Sequence, residues 1–171
     1  MKKIFLFAVL ALVLFGLPFI AYSANGYVGV KKCKLCHKKT YEGWKQTGHA
    51  KAFEALKPGV AAEVKQKAGL DAQKDYTQDA TCLGCHTTGT PDNPGIHCEA
   101  CHGPGKKYSS MKIMNKKKWK ADPEGQCAMA IEAGLVLKPS LERCTVCHNE
   151  KSPTYKPFDY EKRYPEVKHP E

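Results

Sequence analysis

A pentapeptide, Cys-x-x-Cys-His, occurs four times in the 171-residue chain: Cys33, Cys36 and His37; Cys82, Cys85 and His86; Cys98, Cys101 and His102; Cys144, Cys147 and His148. Two thiols at this spacing reach two vinyl groups on one edge of a porphyrin while the next residue turns its imidazole onto the iron, which is the attachment chemistry of c-type haem. Histidine is 7 of 171 residues, so its recurrence after every Cys-x-x-Cys pair has a chance probability of about 10⁻⁶. Zinc knuckles and disulfide frameworks also use paired cysteines, but neither requires a histidine each time. The reading is four covalently attached haem c groups. Only Cys127 is left over of the nine cysteines; it reads as a small buried residue, with an intermolecular disulfide as the alternative in an oxidising compartment.

Each motif histidine supplies one axial ligand: His37, His86, His102 and His148. Against the four remaining axial positions stand only His49, His97 and His169, so histidines on both faces of all four irons are excluded within one chain. At least one iron takes a methionine, a lysine, a ligand from another chain or water. His49, between the small residues Gly48 and Ala50, and His169, near the C-terminus, read as distal ligands. His97, directly before Cys98, serves a neighbouring haem or hydrogen-bonds a propionate. Met111 and Met114 are the thioether candidates, apolar packing against a porphyrin being the other use of a methionine. A vacant position would leave an iron able to bind a small molecule.

The elements that must position these groups are short. Met1-Lys2-Lys3, an apolar run from Ile4 to Ile20 and the small residues Ala21, Ser23 and Ala24 have the three regions of a secretory signal. Residues 1–23 therefore read as a signal peptide and 24–171 as one tetrahaem domain. An uncleaved membrane anchor is the alternative, since about 20 apolar residues span a bilayer. Export to the periplasm is expected, with membrane contact only if the signal segment is retained. The formal charge of +10 is partly offset by haem propionates. The lysine runs at 31–32, 38–39, 106–107 and 116–118 read as solvated faces, propionate partners or a docking surface for an acidic redox protein, and nucleic acid is no partner for an exported haem protein.

Aliphatic side chains are too few to form an ordinary core, so the expected fold is mainly α with long irregular loops, a small multihaem cytochrome c fold organised around four covalently bound haems, with no continuous sheet. Helical stretches are expected over 38–56, 60–68, 106–120 and 124–133. The connector 87–97, with Gly89, Pro91, Pro94 and Gly95, is turn-rich and short enough to make the second and third haems close neighbours. Gly103-Pro104-Gly105 permits a sharp change of direction. The tail from Ser152, with prolines at 153, 157, 165 and 170, reads as an extended strap over the haems.

Further stretches carry a resemblance. Lys32-Cys33 to His37, Trp44 with Thr47-Gly48-His49-Ala50-Lys51-Ala52, Leu56-Lys57-Pro58, Lys74-Asp75-Tyr76-Thr77-Gln78-Asp79 and Cys98-Glu99-Ala100-Cys101-His102-Gly103-Pro104-Gly105 resemble the tetrahaem cytochrome c-554 family, the electron acceptors of hydroxylamine oxidoreductase in ammonia-oxidising bacteria. The resemblance implies a mainly helical fold with haems in closely stacked pairs. It further implies His49 as distal ligand of the third haem, bound at His102, His169 as distal ligand of the fourth, bound at His148, and a five-coordinate second haem at His86. The family's first haem takes a histidine soon after the third motif, but 106–120 contains none. Met111, Met114 or His97 replaces it, or the first haem is open too. The sequence is also shorter than the family's, before the third motif and at the tail.

The expected function is a periplasmic carrier passing electrons between redox proteins. The resemblance implies a hydroxylamine oxidoreductase-like donor and a membrane quinone-linked or soluble cytochrome acceptor. Alternatives are reduction of nitric oxide or a related small molecule at the open second haem, as a side activity or main role. Another is a subunit of an extracellular cytochrome filament in which a neighbouring chain donates the missing ligand.

Overall fold

Residues 26–169 are described by the computed structural model; the signal peptide expected at 1–23 lies outside them. The haem motifs build the helices around themselves. One helical turn brings Cys i, Cys i+3 and His i+4 to a single face, and the bonds that close that turn are present: His37 N–H donates to the Cys33 carbonyl at 3.0 Å and His148 N–H to the Cys144 carbonyl at 3.0 Å. The motifs occupy α1 (Val30–Lys34) running into α2 (Lys38–Trp44), α4 (Ala80–His86), α5 (Cys98–His102) and the end of α8 (Leu141–Thr145). Between them lie α3 (Ala62–Lys67), α6 (Lys116–Ala121) and α7 (Pro123–Glu132), and α9 (Tyr160–Val167) follows the fourth motif. Among the described residues the only β pairing is one bridge, Thr87 to Pro94, so the fold is mainly α with irregular loops.

Three expectations are corrected. The helix expected over 38–56 stops at Trp44, and His49 lies in a run of turns before a single 3-10 turn, Glu54–Leu56. The Thr47 hydroxyl donates to the Trp44 carbonyl at 2.7 Å and accepts from Ala50 N–H at 3.4 Å, a local alternative to helix propagation. Residues 106–115 form turns, and helix begins only at Lys116, where the Asn115 side chain accepts from Lys117 and Lys118 N–H. The tail is a strap only to Asp159. Its carboxylate then caps α9 through Lys162 N–H at 3.2 Å, and the helix accommodates Pro165. Stacking of Tyr160 on Tyr164 (5.1 Å) and the Arg163–Glu166 ion pair (2.8 Å) brace it. The connector 87–97 and helix 123–132 lie where expected.

The apolar interior is small. Among the described residues only Leu56, Ala72, Tyr76, Tyr108, Ile113 and Ala130 are buried apolar side chains, and the one cluster they form is Tyr108, Ile113 and Ala130, with Met114, Trp119 and Leu135 against it. So little burial leaves the macrocycles to supply the apolar centre.

Candidate haem sites

Six of the eight motif thiols lie near a thiol of another motif. The Cys33 thiol is pushed far above its usual range, chiefly by a hydrogen bond with the Cys98 thiol and then by burial, so the first motif abuts the third. Burial first, then the neighbouring Cys85 thiol, pushes Cys147 up to about 12, which joins the fourth motif to the second. Burial and then Cys144 raise Cys101, linking the third motif to the fourth. The thiol contacts thus run one to three, three to four, and four to two. The second and third motifs, adjacent in sequence and expected as close neighbours, are tied through their short connector, where Gly95 N–H donates to the His86 carbonyl at 2.9 Å and His97 N–H to the Thr88 hydroxyl at 2.8 Å.

Two imidazoles held on opposite sides of one metal at about 2 Å each have ring centres about 6 Å apart. Two histidine pairs meet that separation: His49 and His148 at 6.1 Å, and His102 and His169 at 5.7 Å. The residues therefore fit an iron between each pair. The pairing is crossed relative to that implied by the resemblance: His49 faces His148, not His102, and His169 faces His102, not His148. Burial is the largest cause lowering the pKa of both His49 and His102, which favours the neutral ring that ligates a metal.

Two motif histidines are oriented from behind. His86 Nδ1 lies 2.5 Å from the Ala52 carbonyl and His102 Nδ1 2.6 Å from the Val136 carbonyl. A carbonyl there accepts an Nδ1–H, leaving Nε2 as the ligating nitrogen. The carbonyls come from loops whose sequence carries no sign of the role. Phe158, in the strap, stacks on the His148 ring at 4.6 Å.

Nothing brings a second imidazole ring to His37 or His86 among the described residues. His97 is 8% exposed and meets the Trp44 ring edge-on at 5.3 Å. Its backbone N–H donates to the Thr88 hydroxyl at 2.8 Å, and its Nδ1 has no partner. Met114 packs against the Tyr108 cluster, whereas Met111 is 66% exposed on the loop after the third motif. Cys127 is half-buried in α7 rather than fully buried. Gly103 takes φ +81, and a Cβ there would lie 2.8 Å from the Gly134 carbonyl oxygen; the glycine admits a neighbouring backbone.

Among the described residues no three or more His, Cys, Asp or Glu side chains converge as a metal-binding cluster, so the thiols are not gathered as zinc knuckles gather them. No helix there is long and apolar enough to cross a membrane.

The profile of the family "Cytochrome c554 and c-prime" matches residues 32–103. The curated cytochrome c-554 of Nitrosomonas europaea is 50% identical over 94 residues, which are 48% of this chain and 40% of that protein. The match thus spans less than half the length of that relative. The solved structure of the reduced state of cytochrome c554 from Nitrosomonas europaea superposes with a TM-score of 0.62 at 36% identity, covering 85% of this chain and 79% of that one. With four attachment motifs on this shared fold, the chain belongs to the cytochrome c554 family and carries four covalently bound haem c groups.

Proposed function

We propose that the protein is an exported electron carrier that passes electrons through four haems between redox proteins. The observation that supports this reading is the proximity of the motifs: the first packs against the third, and the thiols of the third and second feel those of the fourth. Haems attached there are neighbours throughout, and each holds one electron. The haems supply the redox chemistry; the chain's residues attach them, set their axial ligands and orient those ligands. Cys33, Cys36, Cys82, Cys85, Cys98, Cys101, Cys144 and Cys147 attach the four groups. His49 with His148 holds the fourth haem and His102 with His169 the third, both closed to exogenous ligands. His37 and His86 hold the first and second from one side. Exposed lysines around the first motif, Lys31, Lys32, Lys38 and Lys39, suit an acidic donor or acceptor. A hydroxylamine oxidoreductase-like donor, the periplasm as the compartment and residues 1–23 as the export signal belong to this reading.

Stopped-flow mixing of the reduced holoprotein with an acidic redox partner tests it: all four haems exchange electrons within milliseconds to seconds, more slowly at high salt. Exchange that leaves any haem behind or ignores salt would overturn it.

A second reading is favoured by one observation. His86 is oriented by Ala52 while no second imidazole faces it, which leaves the second haem the place for a small ligand such as nitric oxide. A change in the high-spin ferric resonance on adding nitric oxide, with turnover under a reductant, supports reductase activity; an inert resonance ends it.

A further inference from the structure

Among the described residues Glu99 is the only buried carboxylate. It lies between Cys98 and Cys101 and is 1% exposed. Oε1 accepts N–H from Val28 at 2.9 Å and from Gly105 at 2.7 Å, and Oε2 accepts from Gly29 at 2.8 Å and from Val28 at 3.2 Å. Both oxygens accept and neither donates, the pattern of an ionised carboxylate. Gly105 has to be glycine for this approach, because a Cβ there would sit 3.0 Å from Oε1 and 2.9 Å from a Val28 methyl.

The partners locate the charge. Val28 and Gly29 lead directly into α1, which carries Cys33, while Glu99 is the second residue of α5, directly after Cys98, and α1 packs against α5. The carboxylate therefore sits where the first and third haems are attached. It enters no ion pair found among the described residues; backbone N–H groups hold both its oxygens, and a buried charge is little screened by salt. Tyr108, whose hydroxyl donates to the Gly103 carbonyl at 2.7 Å, registers that field: after burial, Glu99 is the next cause raising its pKa.

Reduction adds one electron to a ferric haem and removes one positive charge from it, so a fixed negative charge nearby favours the ferric form. We propose that Glu99 is a positioning residue that locks the first motif to the third and holds down the reduction potentials of the first and third haems together, leaving the second and fourth nearly untouched. The inference rests on the proposed haem attachment and on the packing of the first motif against the third.

The test is a mediated redox titration of the full-length holoprotein, followed optically and by electron paramagnetic resonance, comparing wild type with Glu99→Gln and Glu99→Asp. In E99Q two of the four midpoints rise. At a fixed ambient potential the ferrous-to-ferric ratio of those two haems increases about tenfold, the scale of one unit charge about 10 Å away at an effective dielectric of about 20. E99D keeps the charge on a shorter stem, so its potentials stay with wild type although its melting temperature falls. All four midpoints moving together, none moving, or E99D rising as E99Q does would overturn the proposal. The E99D comparison is decisive alone where E99Q fails to acquire haem. Failure of the carrier reading appears separately, as a wild-type protein without reversible reduction.

Discussion

On the proposed ligation, replacing His49 by alanine removes one of the two imidazoles on either side of the fourth haem's iron. The 6.1 Å between the His49 and His148 ring centres leaves room for an iron and no other ligand. The variant's fourth haem therefore becomes five-coordinate and high-spin, with five unpaired electrons in place of one. Two haems are flanked by histidine pairs, so the ferric low-spin resonance falls by one haem equivalent and the pair at His102 and His169 keeps its own. The fold survives the change, because residue 49 contributes its carbonyl to Ile96 N–H at 3.1 Å and alanine retains it. Spin quantitation by electron paramagnetic resonance gives the count, and proton resonances of Phe158 give the address, since that ring lies 4.6 Å from His148 and senses the fourth iron. Added imidazole should restore the low-spin signal. Unchanged Phe158 resonances, with shifts instead at Val136 beside His102, would show that His49 serves the third haem and would refute the crossed pairing. Undiminished low-spin intensity would show that His49 ligates nothing.

Three further outcomes are expected. Thr88, 1% exposed, donates to the Gly95 carbonyl at 2.7 Å and accepts from His97 N–H at 2.8 Å; Thr88→Val strands both groups and should cost about 1–3 kcal/mol in denaturant unfolding, with Thr88→Ser restoring most of it. Asn115→Ala removes the two backbone bonds at the start of α6 and should cost about 1 kcal/mol, seen as faster hydrogen exchange over residues 116–121. The Thr81 hydroxyl, then its N–H, holds Asp79 below the ordinary 3.8. With the folded value below the unfolded one, its contribution is complete above about pH 4 and vanishes as pH falls through the folded value. Asp79→Asn should therefore melt below wild type near neutrality and level with it at about pH 2; a gap of equal size at both would show that the charge is irrelevant.

The attachment chemistry and the proximal ligands were legible because five consecutive residues carry them. His49, between small residues, and His169, near the C-terminus, read from the sequence as candidate ligands, and each lies within ring-pair distance of a motif histidine. Their assignment to irons was not legible, because His49 and His148 meet only through the tertiary fold, and no local pattern records which of two stacked haems a distant imidazole faces. Secondary structure departs from the expected pattern where capping outweighs proline and glycine. Asp159 followed by Tyr160, Arg163, Tyr164 and Glu166 at helical spacing was a readable helix start, obscured by Pro165. At 45–53 the reverse holds: the apolar marks at Tyr41, Trp44 and Phe53 match helical spacing, but the Thr47 hydroxyl bonds end the helix at Trp44.

This stretch meets both the second and the fourth motif histidines. It carries His49, which faces His148, and three residues later Ala52, whose carbonyl orients His86. The same stretch is tied to the connector: Ile96 N–H donates to the His49 carbonyl and Trp44 Nε1–H to the Ile96 carbonyl, while Gly95 N–H donates to the His86 carbonyl. A regular helix through residue 49 would hold its carbonyl in helical bonding and deny it to Ile96. The irregular backbone is thus what lets one short segment close one iron and orient the ligand of its neighbour. Changes in this loop should consequently alter the second and fourth haems together and leave the Glu99-linked first and third as they are.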